Sequence, residues 1–147
     1  MLHISLADST DSDILVHLDT TTEFIRNALT ENDTNQVLVH CVMGISRSAT
    51  VVCAYLIATQ AMQAHEALEF VIARRRIVCP NLGFRRQLEL YAARCAAKGA
   101  KAKTPASRRS KGISVGVAER IRKFKASALG HHRDPAAGNG ETQTQTS

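Results

Sequence analysis

The residues best suited to chemistry lie in one short segment, residues 40–48. Cys41 is followed three residues later by Gly44 and six residues later by Arg47, with Ser48 beside it. The segment joins a predicted buried strand to a predicted buried helix, so unpaired N–H groups and the positive end of the helix dipole would form an anion site. Gly44 allows the positive φ or close approach that such a site needs. The residues predicted to surround the anion are Val42, Met43, Gly44, Ile45, Ser46 and Arg47.

Cys41 would lie at the centre of this site and act as a nucleophile. The donors that bind an anion also lower the pKa of a thiol, so we expect a thiolate at neutral pH. Arg47 would present a planar fork to two oxygens of a tetrahedral dianion, a task for which lysine is less suited. The Ser48 hydroxyl would stabilise the thiolate. It would also assist the sulfur as a leaving group in a later step, after the sulfur has bonded to a substrate. The other cysteines are interpreted as small buried hydrophobes: Cys53, Cys79 and Cys95.

The elements that must position this segment are indicated by apolar periodicity. Strands are predicted at residues 2–6, which alternate, and at residues 36–40, whose uninterrupted apolar run is typical of a strand covered on both faces. The predicted helices are residues 15–29, 46–59, 64–75 and 83–97, the second of them apolar on nearly every side. This order indicates an α/β fold with a central sheet flanked by helices.

Composition and charge divide the 147 residues into one globular domain, residues 1–97, and a basic tail, residues 98–147. The first part holds eight arginines, no lysine and ten acidic residues, whereas the tail holds eleven basic and three acidic residues. The tail is predicted to be mostly disordered, because it has too little apolar surface to offset the entropy of ordering. Within it, residues 115–129 have the pattern of a basic amphipathic helix suited to an anionic membrane or a partner protein. No nucleic-acid motif is present, so binding to DNA or RNA is not predicted.

The sequence carries no sign of membrane insertion or secretion. No apolar run approaches the roughly 20 residues that span a bilayer, and the first ten residues lack the basic-then-apolar order of a secretory signal. We therefore expect a soluble protein of the cytoplasm or nucleus. In that setting the four cysteines would be reduced, and no two have the CxxC spacing of a zinc site. Neither a disulfide framework nor a structural metal is predicted.

Three blocks of sequence resemble one enzyme family. Residues 40–48, HCVMGISRS, match the HCxxGxxR[ST] signature of the cysteine-dependent protein phosphatases. Residues 54–57, AYLI, and residues 80–88, PNLGFRRQL, resemble the AYL[MI] and PNxxFxxQL blocks of the dual-specificity branch. The resemblance covers about residues 1–95 and none of the tail.

The resemblance implies two displacements at phosphorus, with no metal or other cofactor. Cys41 attacks a phosphomonoester to give a phosphocysteine, which water then hydrolyses. The proton donor of the family is an aspartate in a loop after an upstream strand, and Asp8 fits this position best, with Asp11 and Asp13 as alternatives. His40 is expected to support the loop and the thiolate through hydrogen bonds rather than to serve as the base.

Two features near residue 80 carry alternatives. Asn81 is expected either to tie its own loop to the segment around Cys41 or to cap the following helix. The run of arginines at residues 74–76 is interpreted as the solvated end of a helix, favoured by the helix dipole, with a secondary phosphate contact as the alternative.

By resemblance, the substrates are phosphoproteins that carry phosphotyrosine and phosphoserine or phosphothreonine. The neutral side chains of Val42, Met43 and Ile45 favour protein substrates, whereas phosphoinositide, glucan and RNA-end phosphates are alternatives within the same enzyme class. A further alternative is a non-catalytic phosphate-binding or inactive fragment. Complete domains of this type carry an additional N-terminal segment whose strands flank the strand that leads into the cysteine, so the chain is expected to be N-terminally truncated.

Overall fold

The structure is a computed structural model in which residues 1–101 are described, and this part of the chain contains four helices. They are α1 (Leu15–Glu31), α2 (Arg47–Gln60), α3 (Ala64–Ile72) and α4 (Leu82–Lys101), all within four residues of the predicted ranges. Over this range, no helix combines the length and the apolar composition needed to cross a membrane. The predicted tail begins inside α4, and residues 102–147, with the amphipathic segment 115–129, lie outside the described residues.

Helix α2 lies at the centre, and the other three helices pack against it. Cys53, Ala54 and Ile57 of α2 are buried, which explains why this helix is apolar on nearly every side and confirms the prediction of a buried helix. The surrounding helices contribute large side chains that are fully buried: Leu18 from α1 and Phe84, Leu88 and Tyr91 from α4. This packing fixes the N-terminus of α2, where the segment around Cys41 ends.

The predicted sheet is not formed among residues 1–101. Residues 2–6 and 36–40 adopt neither a helix nor a strand ladder, and no backbone hydrogen bond joins them to each other. Both segments line one cavity of about 460 Å³ instead. A strand ladder needs a partner backbone about 4.8 Å away, and the described residues supply none for either segment. The central sheet of the predicted α/β fold is therefore not confirmed within residues 1–101.

The start of α4 holds the loop that precedes α1. The Gln87 side chain accepts a hydrogen bond from the Leu15 backbone N–H and donates one to the Ser12 carbonyl, each at 2.9 Å. One turn earlier, a Cβ atom at Gly83 would collide with the backbone carbonyl of Thr10. Only glycine permits so close an approach, so the backbone at Thr10 packs directly on α4.

Candidate active site

The segment that joins residues 36–40 to α2, which we call the Cys41 loop (residues 41–46), folds around the Cys41 sulfur. Gly44 has φ of +67°, so the positive φ expected at this position is confirmed. Its backbone N–H donates to Cys41 Sγ at 3.2 Å, and the Ser48 hydroxyl lies 3.3 Å from the same sulfur. The turn thus brings the sulfur over the first residues of α2.

The N-terminus of α2 has no conventional side-chain cap. Ser46 is the N-cap residue, but its hydroxyl donates to Asp8 Oδ1 at 2.8 Å instead of accepting a bond from the first turn. The backbone N–H of Ser48 is directed to the Cys41 sulfur. N–H groups that no side chain caps and the positive helix dipole therefore face Cys41, an arrangement that favours negative charge there.

The environment of Cys41 makes its thiol acidic. Burial raises the pKa, but hydrogen bonds from the Ser48 hydroxyl and from the backbone N–H groups of Ser48, Gly44 and Met43 outweigh burial and lower the pKa from 9.0 to about 6. The thiolate is then the main form at neutral pH.

The other three cysteines differ from Cys41 and from one another. Cys53 is buried in the core, as predicted, and burial raises the pKa of its thiol to about 12. Cys95 is only partly buried, and Cys79 is exposed. The interpretation of Cys79 as a buried hydrophobe is therefore wrong, because residue 79 lies in the loop between α3 and α4 rather than on an inward helix face.

Asp8 and Arg47 meet beside this sulfur site. Asp8 Oδ1 accepts hydrogen bonds from the Ser46 hydroxyl at 2.8 Å and from Asn81 Nδ2 at 2.9 Å. Its other oxygen, Oδ2, lies 3.6 Å from Arg47 Nε. Arg47 also donates through one terminal nitrogen to the Leu6 carbonyl at 3.2 Å, whereas its buried Nε has no hydrogen-bond partner within residues 1–101. A buried donor without a partner is costly, and a bound anion would supply the missing acceptor.

The two alternative aspartates are placed differently. Asp13 Oδ1 accepts a 3.4 Å hydrogen bond from the Val16 N–H in the first turn of α1. Asp11 is exposed, and its carboxylate makes no hydrogen bond or ion pair with the rest of the described chain. Of the three candidates, the fold brings Asp8 to the Cys41 loop.

Asn81 does both of the things that its sequence position suggested. Its backbone N–H donates to the Ser46 hydroxyl at 3.1 Å and its amide donates to Asp8, which ties residue 81 to the Cys41 loop. Its Oδ1 accepts the Phe84 N–H at 2.9 Å and so caps the first turn of α4. Gln87 of α4 binds the loop that contains Asp8, but sequence reasoning missed this role. In the sequence, Gln87 stands out only as part of the block at residues 80–88 that resembles the phosphatase family.

The side chains that flank the sulfur site are open to solvent. His40 is exposed, and its ring makes no hydrogen bond to any described residue. Val42 and Met43 are 79% and 65% exposed, respectively, and both line a cavity beside Cys41. The support of the thiolate expected from His40 therefore comes in this structure from Ser48 and the loop backbone.

The chain is similar to known phosphatases over its first two thirds. Residues 1–94 match the family described as "Dual specificity phosphatase, catalytic domain". "Dual specificity protein phosphatase 13B" of Mus musculus is 44% identical over 87 residues, which are 59% of this chain and 43% of the mouse protein. "Dual specificity protein phosphatase MPK-4" of Drosophila melanogaster is 43% identical over 89 residues, 60% of this chain and 22% of the fly protein. The chain thus spans less than half the length of either relative.

Solved structures show the same relationship. The crystal structure of DUSP15 superposes with a TM-score of 0.62 at 32% identity, covering 72% of this chain and 69% of that one. The human tyrosine phosphatase-like serine/threonine/tyrosine-interacting protein superposes with a TM-score of 0.59 at 39% identity, covering 61% of this chain and 58% of that one. On the family match and these likenesses, the chain belongs to the family of dual-specificity phosphatase catalytic domains.

Proposed function

We propose that the protein hydrolyses phosphate monoesters on phosphotyrosine and on phosphoserine or phosphothreonine of proteins, through a phosphocysteine intermediate. The observation that carries the proposal is the Cys41 sulfur, which accepts hydrogen bonds from Gly44 and Ser48 at the uncapped N-terminus of α2. Its pKa of about 6 supplies a nucleophile at neutral pH without a metal or other cofactor. Membership of the phosphatase family agrees with this chemistry.

In the first step, the Cys41 thiolate attacks phosphorus. The S–P bond forms while the P–O bond to the leaving group breaks, and Asp8 donates its proton to the leaving oxygen. Arg47 holds the equatorial oxygens of the phosphoryl group, and its buried Nε gains the acceptor that it lacks without phosphate. The N–H groups of the Cys41 loop stabilise the remaining negative charge.

In the second step, water hydrolyses the phosphocysteine. The Asp8 carboxylate accepts a proton from the attacking water, the new P–O bond forms, and the S–P bond breaks to release phosphate and the Cys41 thiolate. The Ser48 hydroxyl, 3.3 Å from the sulfur, stabilises that thiolate as it leaves. The same hydrogen bond therefore favours the attacking form in the first step and the leaving form in the second.

The assignment of Asp8 as proton donor is supported by its contacts. Ser46 and Asn81 both donate to Oδ1, so this oxygen is occupied as an acceptor. Oδ2 accepts no hydrogen bond from the described residues and lies 3.6 Å from Arg47 Nε, so it is the oxygen available to exchange a proton with substrate or water. Oδ2 is thus the Asp8 oxygen that lies beside the guanidinium proposed to hold the phosphoryl group.

Phosphoproteins are the proposed substrates because the Cys41 loop carries no lysine and its exposed side chains are apolar. Val42 and Met43 present hydrocarbon surface beside the sulfur, which suits the side chains of a peptide better than the additional phosphates of an inositol lipid. The proposed place of action is the cytoplasm or nucleus, because an acidic thiolate such as Cys41 stays reduced and active in a reducing compartment.

A non-catalytic phosphate-binding role is the second candidate. Residues 36–40, which lead directly into Cys41, have no strand partner within the described range and line an open cavity. If residues 36–40 hold Cys41 too loosely for turnover, Arg47 and the backbone of the Cys41 loop could still bind phosphate.

Hydrolysis of 4-nitrophenyl phosphate by the full chain tests the proposal. We expect turnover in the wild type, loss of at least about 1,000-fold in Cys41→Ser, and nearly unchanged turnover in the matched control Cys79→Ser, whose residue is exposed and outside the loop. Phosphotyrosyl and phosphothreonyl peptides then define the substrate range. Inert wild-type protein that still binds vanadate would overturn the catalytic proposal in favour of the binding role.

A further inference from the structure

Arg75 lies against the outer side of the Cys41 loop. Its backbone is fixed just beyond α3 by hydrogen bonds from its N–H to the Val71 carbonyl at 3.0 Å and from the Val78 N–H to its own carbonyl at 3.1 Å. Its guanidinium donates to two successive loop carbonyls, from Nε to Gly44 and from Nη2 to Met43, each at 3.4 Å. A Cβ atom on Gly44 would lie 3.2 Å from Nη2, so the fork rests directly on this glycine.

One of these carbonyls shares a peptide group with a donor to the nucleophile. The Met43 carbonyl and the Gly44 N–H belong to the same planar trans peptide, so they point in opposite directions. The carbonyl accepts from Arg75 on the outer side, and the N–H donates to Cys41 Sγ at 3.2 Å on the inner side. Arg75 thus holds the outer end of the peptide group whose inner end binds the sulfur.

We propose that Arg75 is a positioning residue that holds the Cys41 loop with its N–H groups turned inward, toward the Cys41 sulfur and toward bound phosphate. A charged donor on a carbonyl polarises the peptide and strengthens the bond made by its N–H. The planar fork of arginine spans two carbonyls at once, which a lysine ammonium does not reproduce. The phosphate part of this inference rests on the proposed function, whereas the sulfur part does not.

The neighbouring arginines show that this contact is specific to Arg75. Arg74 returns to its own helix, where Nη1 donates to the Phe70 carbonyl at 2.7 Å and the guanidinium covers the Phe70 ring. Arg76 is exposed and makes no hydrogen bond or ion pair with the described part of the chain. The interpretation of residues 74–76 as the end of a helix therefore suits Arg74, whose guanidinium binds a carbonyl of α3. Arg76 offers a control of equal charge one residue further along the chain.

Other charged groups around the Cys41 loop must be separated from the effect of Arg75. Arg47 at the start of α2 pairs with Asp8, which accepts a hydrogen bond from the Ser46 hydroxyl of the loop, and His40 precedes Cys41 in the chain. We expect these groups to stay in place when residue 75 is changed, because none of them contacts the Arg75 side chain. Arg75→Lys keeps the positive charge and removes the fork, so it separates positioning from simple attraction of the thiolate by a nearby cation.

The test is the pH dependence of Cys41 alkylation by iodoacetamide in the full chain, followed by mass spectrometry of the peptide that contains Cys41. We expect the midpoint to rise by about 0.5 unit in Arg75→Gln, because one donor to the sulfur weakens. A smaller rise is expected in Arg75→Lys and none in Arg76→Gln. An Arg75→Gln midpoint equal to that of Arg76→Gln, or full recovery in Arg75→Lys, would overturn the inference.

Thermal unfolding and phosphatase activity are measured beside alkylation to separate the possible explanations. Thermal unfolding of the variants shows whether the fold is retained, which we expect because the Arg75 side chain is exposed. Alkylation needs no turnover, so an inactive wild type with an Arg75-dependent midpoint would contradict the proposed function and support the positioning role. An active wild type with an unchanged midpoint in Arg75→Gln would support the proposed function and contradict the positioning role.

Discussion

Replacing Gln87 by alanine tests how α4 supports the loop that carries Asp8. Ile14, the N-cap residue of α1, has no side chain that could cap the helix. The Gln87 amide takes this role, because its oxygen accepts a hydrogen bond from the Leu15 N–H. It also binds the Ser12 carbonyl, and both bonds are 2.9 Å long and partly buried. Each such bond contributes about 0.5–1.5 kcal/mol, so Gln87→Ala should lower the free energy of unfolding by about 2 kcal/mol. Gln87→Glu keeps only the acceptor and should cost roughly half as much.

Urea denaturation followed by circular dichroism measures this loss, with Glu89→Ala as the control on an exposed position of the same helix. Activity gives a second readout, because proton donation matters more for a poor leaving group. A loosened Asp8 loop should reduce turnover of phenyl phosphate more than that of 4-nitrophenyl phosphate. A loss below about 0.5 kcal/mol in Gln87→Ala, or an equal loss in Glu89→Ala, would refute the reasoning.

Three other substitutions probe contacts in the site and the core. Ser48→Ala should raise the pKa of Cys41 from about 6, because the Ser48 side chain makes the strongest of the hydrogen bonds that lower it. Alkylation of Cys41 should therefore slow at pH 6–7 and stay unchanged above about pH 9, where the thiol is ionised in both proteins; equal slowing at every pH would contradict this account. Leu18→Ala should cost about 2–5 kcal/mol in urea denaturation, because Leu18 is fully buried, and a cost under about 1 kcal/mol would mean that the core closes over the gap. Tyr91→Phe should cost about 1 kcal/mol, because it removes the buried 3.2 Å hydrogen bond to the Thr22 hydroxyl; unchanged thermal stability would show that this bond contributes nothing.

The helices were predictable because their signal is local. Leu18 and Ile25 recur on one face of α1, and the apolar sequence of α2 indicates its central position. The end of α3 was less visible, since the prediction ran to residue 75 whereas the helix ends at Ile72. Arginine is a good helix former, so residues 74–76 contain no stop signal. The helix is followed by a turn in which the Arg74 and Arg75 N–H groups share the Val71 carbonyl, and from this turn the Arg75 side chain reaches the Cys41 loop.

Long-range features left less trace in the sequence. The alternating and apolar patterns at residues 2–6 and 36–40 indicate what a strand would bury, but a ladder depends on a partner that no local pattern supplies. In the site, Cys41 and Arg47 were identified together because they lie only six residues apart around one turn. The contacts of Gln87 and Arg75 are made to backbone atoms of distant residues, so neither periodicity nor spacing reveals them.

The absence of a side chain at Gly83 bears on the proposed catalytic cycle. The Thr10 backbone packs against Gly83 of α4, so a flap-like movement of the segment at residues 10–12 would have to break this contact and the Gln87–Ser12 hydrogen bond. Enzymes with mobile lids spend part of each turnover in closing them. Under the proposed mechanism, the contacts at Thr10 and Gln87 order the segment that carries Asp8 when the chain folds, so substrate would meet an acid that is already in place.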